Sequence, residues 1–128
     1  MQLTLKDDLP FTTITIEYRG QELSLSDVLI DTGSASTILA ADWVAKIGIV
    51  PEPGDRLLMI AGIGGTEAVF TRKIDRLLVE QHGLAEFLIE VGSMNYGFEI
   101  NGILGMDFLT GSRAVVDLGR LTLEFSAQ

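Results

Sequence analysis

At 128 residues, with 18 acidic against 9 basic side chains and a formal net charge of −9, the chain is long enough for one domain and too short for two well-formed ones. The acidic balance argues against a nucleic-acid partner, whose phosphates select clustered Lys and Arg, and the lack of cysteine removes disulfides, thiolate metal sites and a Cys nucleophile. A hydrophobic fraction of 47% beside 21% charged residues predicts a packed core, while no stretch approaches the roughly 18 consecutive apolar residues that a membrane helix needs.

From the N-terminus, Lys6, Asp7 and Asp8 stand where an export signal would carry its apolar stretch, so no signal is read and the cytoplasm is the expected address. Phe11 to Tyr18 alternates and is rich in β-branched and aromatic residues; Arg19-Gly20-Gln21 reads as a turn, and Glu22 to Ser26 resumes the period of two, which predicts a hairpin. Val28-Leu29-Ile30 is apolar on both faces, as a short buried strand is. Asp42 is placed to cap a short helix through Trp43, Val44 and Ile47, with Gly48 to end it. Further strands are predicted over Arg56 to Ala61, Glu67 to Val79, Glu86 to Val91, Arg113 to Asp117 and Leu121 to Phe125, the last two joined by a turn at Leu118-Gly119. A second short helix is expected from Met106 to Leu109, before Gly111. No linker, repeat or low-complexity stretch divides the chain. The expectation is one all-β domain over residues 1–128, with one or two short helices.

The chemically informative segment is Val28-Leu29-Ile30-Asp31-Thr32-Gly33-Ser34-Ala35-Ser36-Thr37. A carboxylate directly after a buried apolar strand is unusual, because desolvating a lone charge is costly. The small residues after it allow a tight turn whose amides and hydroxyls point back at the carboxylate. Taken alone, Asp-Thr-Gly is equally well read as a strand-ending Asp that accepts turn hydrogen bonds and does no chemistry.

Three segments together resemble the retroviral-type (retropepsin-like) aspartic proteases. Val28 through Ser34 matches their active-site signature of apolar residues followed by Asp-Thr-Gly and a small residue. Met59-Ile60-Ala61-Gly62-Ile63-Gly64-Gly65 is similar to their glycine-rich flap, and Ile103-Leu104-Gly105-Met106-Asp107 to their apolar-apolar-Gly element leading into a short helix. The resemblance implies a closed, mostly β barrel with one lobe per chain, assembled as an obligate homodimer. It also implies an aspartic endopeptidase acting on a peptide or protein substrate, with water activated by paired carboxylates and no cofactor. Asp31 would be one half of that pair. The chain has a single Asp-Thr-Gly, and Asp117-Leu118-Gly119 lacks the hydroxyl residue, so the second carboxylate would come from a symmetric copy.

The same resemblance gives roles to neighbours. Thr32 would bond across the dimer axis, Gly33 would let the substrate backbone approach, and Ser34 would donate to Asp31. Ala35, Ile60, Ala61, Gly62, Ile63, Gly64 and Ile103 would contact substrate, the flap glycines allowing closure. The terminal segments, about Gln2 to Leu5 and Leu121 to Phe125, would pair between subunits. The sequence departs from the viral pattern at Ala35 and Met106, where many retroviral enzymes carry an acid and an arginine that pair. Loss of both halves reads as replacement by an apolar contact, closer to cellular and bacterial relatives. Ile60, Ile63, Ile100, Ile103 and Leu104 near the expected cleft suggest apolar side chains beside the cleaved bond.

Other residues carry less. His82, the sole histidine, reads as a surface residue, and one His without Cys gives a zinc site little support. Trp43 reads as packing. Two rivals to catalysis are a silent peptide-binding module that grips an extended chain by strand pairing and a purely structural dimerisation domain.

Overall fold

The computed structural model describes residues 1–62, 65–94 and 99–127. Among the described residues, ten strands and two short helices follow one another as β1 (Thr4–Lys6), β2 (Leu9–Tyr18), β3 (Gln21–Ile30), β4 (Ile38–Ala40), α1 (Ala41–Val44), β5 (Leu57–Gly62), β6 (Gly65–Val79), β7 (His82–Gly92), β8 (Gly102–Leu104), α2 (Met106–Gly111), β9 (Ala114–Asp117) and β10 (Thr122–Phe125). The chain is mostly β, and among the described residues no helix is long and apolar enough to cross a membrane.

Hairpin turns set the first three strands. Asp7 and Asp8 both have positive φ, as do Arg19 and Gly20, the combination that matches a two-residue turn to the right-handed twist of its strands. In β2, Phe11, Ile14, Ile16 and Tyr18 are buried while Thr13 is exposed. The step of three between Phe11 and Ile14 breaks the period of two. A register shift between Thr12 and Ile14 accommodates it, with Asp27 on β3 at φ 56°. That bulge turns both Leu25 and Val28 inward. The two strand segments expected on either side of Asp27 are therefore one kinked strand.

Eight strands form one sheet in the order β1-β2-β3-β8-β4-β7-β6-β5, with a further antiparallel pairing of β2 to β6. Glu17 and Arg76, register partners across that last pairing, form a two-pronged ion pair at 3.0 and 3.1 Å. Its arginine is half exposed, so solvent screens the pair and it adds little to stability. β8 runs parallel to β3 and antiparallel to β4, which brings three distant pieces of sequence together at the end of β3. Ile14, Ile16, Leu25, Val28, Leu39, Ile74, Leu77, Ile89, Leu104 and Phe108, all essentially inaccessible, make the main core.

The first helix differs from expectation in its start. Ala40 is its N-cap without a side-chain hydrogen bond, and Asp42 lies within the first turn. A 3-10 turn over Ala45–Ile47 follows, stopped by Gly48 at φ 86° as expected. The terminal segments also differ. The Leu3 amide donates to the Leu121 carbonyl at 2.7 Å and the Leu123 amide to the Met1 carbonyl at 2.8 Å. The ends expected to pair between subunits pair here within one chain, so β10 is flanked by residues 1–3 on one side and β9 on the other. Leu123 is fully buried, and Leu121 and Phe125 pack on the chain's own core.

Arg72, unremarked in the sequence, anchors the approach to the β5–β6 hairpin. Its side chain is 9% exposed and donates to the Tyr18 hydroxyl at 3.1 Å, the Val50 carbonyl at 2.9 Å and Asp55 Oδ2 at 2.8 Å. The Glu52 amide, 2.6 Å from the same Asp55 oxygen, is the main influence holding that carboxyl below the usual aspartate value. The Arg72 guanidinium adds to it, against an opposing cost of desolvation. A carboxyl whose pKa is lower in the folded state stabilises the fold above its unfolded value, and that stability is lost as pH falls through the folded value. Asp55→Asn is therefore expected to melt below wild type at about pH 7, with the gap narrowing as pH drops below about 4, the ordinary aspartate value. Thermal melts at several pH values read this directly; a gap that does not change with pH would show that the charge of Asp55 plays no part.

Candidate active site

Asp31 leaves β3 directly after the buried Ile30. Its amide donates to the Leu104 carbonyl at 3.1 Å, carrying the parallel β3–β8 ladder one step beyond the strand. The Gly33 amide donates to Asp31 Oδ1 at 2.9 Å, and the Ser34 amide to the Asp31 carbonyl at 3.2 Å. Asp31 is half-buried, while Thr32, Gly33 and Ala35 are exposed. The result is a carboxylate at the surface of a tight loop, with one oxygen oriented by a main-chain donor. A Cβ at Gly33 would stand 3.2 Å from that oxygen, so glycine keeps the carboxylate unobstructed.

The Ser34 hydroxyl does not take the role expected of it. It donates to the Ser36 carbonyl at 2.7 Å, closing the loop on itself. The segments around Ala35 and Met106, expected to meet through an apolar contact, are joined by polar main-chain bonds. The Met106 amide donates to the Ser34 carbonyl at 2.8 Å and the Asp107 amide to the Ala35 carbonyl at 3.2 Å. These two amides belong to the first turn of α2, which otherwise lacks acceptors for them.

Ile103, on β8, sits opposite both Leu29 of β3 and Ile38 of β4. It is half-buried against a small cluster of Phe11, Ala40, Met94 and Ile100. The fold thus brings Asp31, Thr32, Gly33, Ser34 and Ala35 beside Ile103. Ile60, Ala61 and Gly62 occupy the far end of the β5–β6 hairpin, opposite Glu67, Thr66 and Gly65. Ile63 and Gly64 lie outside the described residues.

A family model described as aspartyl protease matches residues 14–108, well over half of the chain. The chain belongs to the aspartyl protease family. The matched span takes in the Asp31 loop, the β5–β6 hairpin and the segment from Ile103 to Asp107, and leaves out β1, β9 and β10. No match to this chain is found among curated proteins.

Three residues of the site escaped the sequence reading. Thr37 is fully buried, yet its hydroxyl donates to Asp107 Oδ1 at 2.8 Å and accepts from the Gly105 amide at 3.1 Å. The side chain of Asn101, also buried, donates to the Ser26 carbonyl at 2.8 Å while its main-chain amide donates to the Asp27 carbonyl at 2.9 Å, which secures the entry to β8. Thr37 and Asp107 lie at the ends of the segments 28–37 and 103–107, and the available signal was a polar residue at the edge of an apolar run. Their partnership across the fold leaves no trace in local spacing.

Gly105 is where α2 and the loop touch. A Cβ there would meet the Ser36 carbonyl oxygen at 2.3 Å and the Ser34 carbonyl oxygen at 2.9 Å. These are main-chain atoms of a loop fastened on both sides, so they have little room to yield. Gly105→Ala is expected to lose about 1–3 kcal/mol of stability from overpacking, read as a lower urea midpoint at unchanged slope. An unchanged midpoint would mean that the loop is not seated on α2 as described.

Proposed function

We propose that the protein is an aspartic endopeptidase active as a homodimer, each copy supplying Asp31 to a shared carboxylate pair. The observation that carries this reading is the Asp31 carboxylate itself, half exposed at the end of a buried strand with one oxygen set by the Gly33 amide, inside the span matched to the aspartyl protease family. In such a pair one carboxylate takes a proton from the attacking water while the other, protonated, gives a proton to the scissile carbonyl oxygen. Two carboxyls in one site do not both ionise readily, so the pair holds one proton and titrates as a unit.

A second copy is invoked because the other carboxylate fastened to the loop is already occupied. Asp107 accepts from the Thr37 hydroxyl, the Thr37 amide and the Phe108 amide, at 2.8, 3.2 and 2.7 Å. A carboxylate committed to three donors is poorly placed to exchange protons with substrate. Exposed Thr32 is suited to reach a facing loop, and the β2–β6 pairing supports reading the sheet as a closed barrel. With residues 1–3, β9 and β10 paired within one chain, contact between copies falls to surfaces other than β10. Half-buried Ile103 beside the loop favours apolar side chains at the cleaved bond. The β5–β6 hairpin, rooted by Arg72, is the candidate flap, with Ile60, Ala61 and Gly62 near its end.

Incubation with a diverse peptide mixture, followed by mass spectrometry of the products, tests the activity. Asp31→Asn should abolish cleavage while leaving the fold intact. If wild type is mixed with an equal amount of Asp31→Asn and subunits exchange fully, about a quarter of twice as many dimers keep both carboxylates, and total activity should fall to about half. A total that stays unchanged after exchange would show that each Asp31 acts alone. Peptide binding without cleavage by wild type would favour the silent binding module.

A further inference from the structure

We propose that Thr37 and Asp107 form a polar clamp that positions the Asp31 loop for proton transfer, with Asp107 as a positioning residue; this rests on the aspartic peptidase reading above. Thr37 has no accessible surface, and each of its polar groups is engaged. Its hydroxyl donates to Asp107 Oδ1 at 2.8 Å and accepts from the Gly105 amide at 3.1 Å. Its amide donates to Asp107 Oδ2 at 3.2 Å, and its carbonyl accepts from the Glu90 amide on β7 at 2.9 Å. One buried residue, through its side chain and its main chain, thereby ties the far end of the loop to α2, to the close approach at Gly105 and to the sheet.

Asp107 holds the loop at two points. Its amide donates to the Ala35 carbonyl at 3.2 Å, and its carboxylate grips Thr37. The near end is held by the bond from the Asp31 amide to Leu104. Between these fastenings Thr32, Gly33 and Ala35 are exposed, beside the half-buried Asp31. A residue that merely capped α2 would bond its own helix amides; Asp107 bonds the Phe108 amide but sends both oxygens on to Thr37. The chemistry also selects a carboxylate. Three donors converge on its two oxygens, and an asparagine would turn an NH2 group toward at least one N–H or O–H. Because proton transfer depends steeply on the placement of the carboxyl, slack in this clamp should lower turnover more than substrate binding.

The test compares Asp107→Asn, Thr37→Val and Thr37→Ser in the full-length protein, using a peptide that wild type cleaves and amide hydrogen exchange. Asp107→Asn and Thr37→Val should lower kcat by about 100-fold or more, with KM changed by less than about threefold. Thr37→Ser keeps the hydroxyl and should stay within about threefold of wild-type kcat. Exchange at the Asp31 and Met106 amides should quicken by about tenfold in the two damaging variants, while Ile74 and Leu77 in the core keep wild-type protection. Wild-type kcat in folded Asp107→Asn, or unchanged exchange at Asp31 and Met106, would overturn the clamp. So would a Thr37→Ser enzyme as impaired as Thr37→Val. If Asp107→Asn does not fold, the Thr37 pair decides the question. A wild type that cleaves nothing, or an Asp31→Asn variant as active as wild type, would overturn the peptidase reading and leave the clamp to be judged by exchange.

Discussion

Between β8 and α2 the chain passes so close to the Asp31 loop that a side chain at Gly105 would collide with the Ser36 carbonyl. This approach is what allows the amides of Met106 and Asp107 to reach the Ser34 and Ala35 carbonyls, and Thr37 to fold its hydroxyl against the Gly105 amide. With a larger residue the two main chains would separate and several hydrogen bonds would lengthen together. The parallel pairing of β8 with β3 sets up the contact by delivering Gly105 alongside Asp31. Loop geometry, helix start and strand pairing are one interlocked unit.

The charge pattern follows the same economy of position. A protein of net charge −9 would be expected to crowd carboxylates on its surface, but the ones at structural junctions are held by specific donors. Asp31 and Asp55 each accept from a main-chain amide, Asp107 from two main-chain amides and a hydroxyl, and Asp55 also from Arg72. Arg72 is the reciprocal case, a buried cation with acceptors from a tyrosine, a carbonyl and a carboxylate. Left unpaired, such a group would be strongly destabilising. Burial of its charge is tolerated because three elements, β2, β6 and the segment before β5, converge on it.

Strand positions were legible wherever burial alternates with exposure. Phe11 to Tyr18 and the long runs ending at Val79 and Val91 read correctly because one face of each packs on the core. β4 and β8 escaped as strands, since three residues carry no period. Ile38–Ala40 and Gly102–Leu104 are strands because each finds a partner distant in sequence. Asp27 misled for a related reason: its positive φ lets a strand continue through a bulge, a feature that the pairing with β2 creates. Asp42 was a fair cap by residue type, yet the chain enters α1 from β4 two residues earlier than a cap at Asp42 would require.

What the amino-acid sequence determined by itself was the family-signature segment and the mostly β class, because both are written in short runs. Val28 through Ser34 carries its meaning in consecutive residues, and membership of the aspartyl protease family rests on the same kind of linear pattern. Tertiary structure alone decided how the loop is held, that Ser34 turns to Ser36 while Thr37 turns to Asp107, and that the chain ends pair with each other. These are contacts between residues up to 122 positions apart, as for Met1 and Leu123. A hydroxyl or carboxylate has the same local spacing whichever partner it takes, and the choice is made only when packing brings one candidate within about 3 Å and excludes the others.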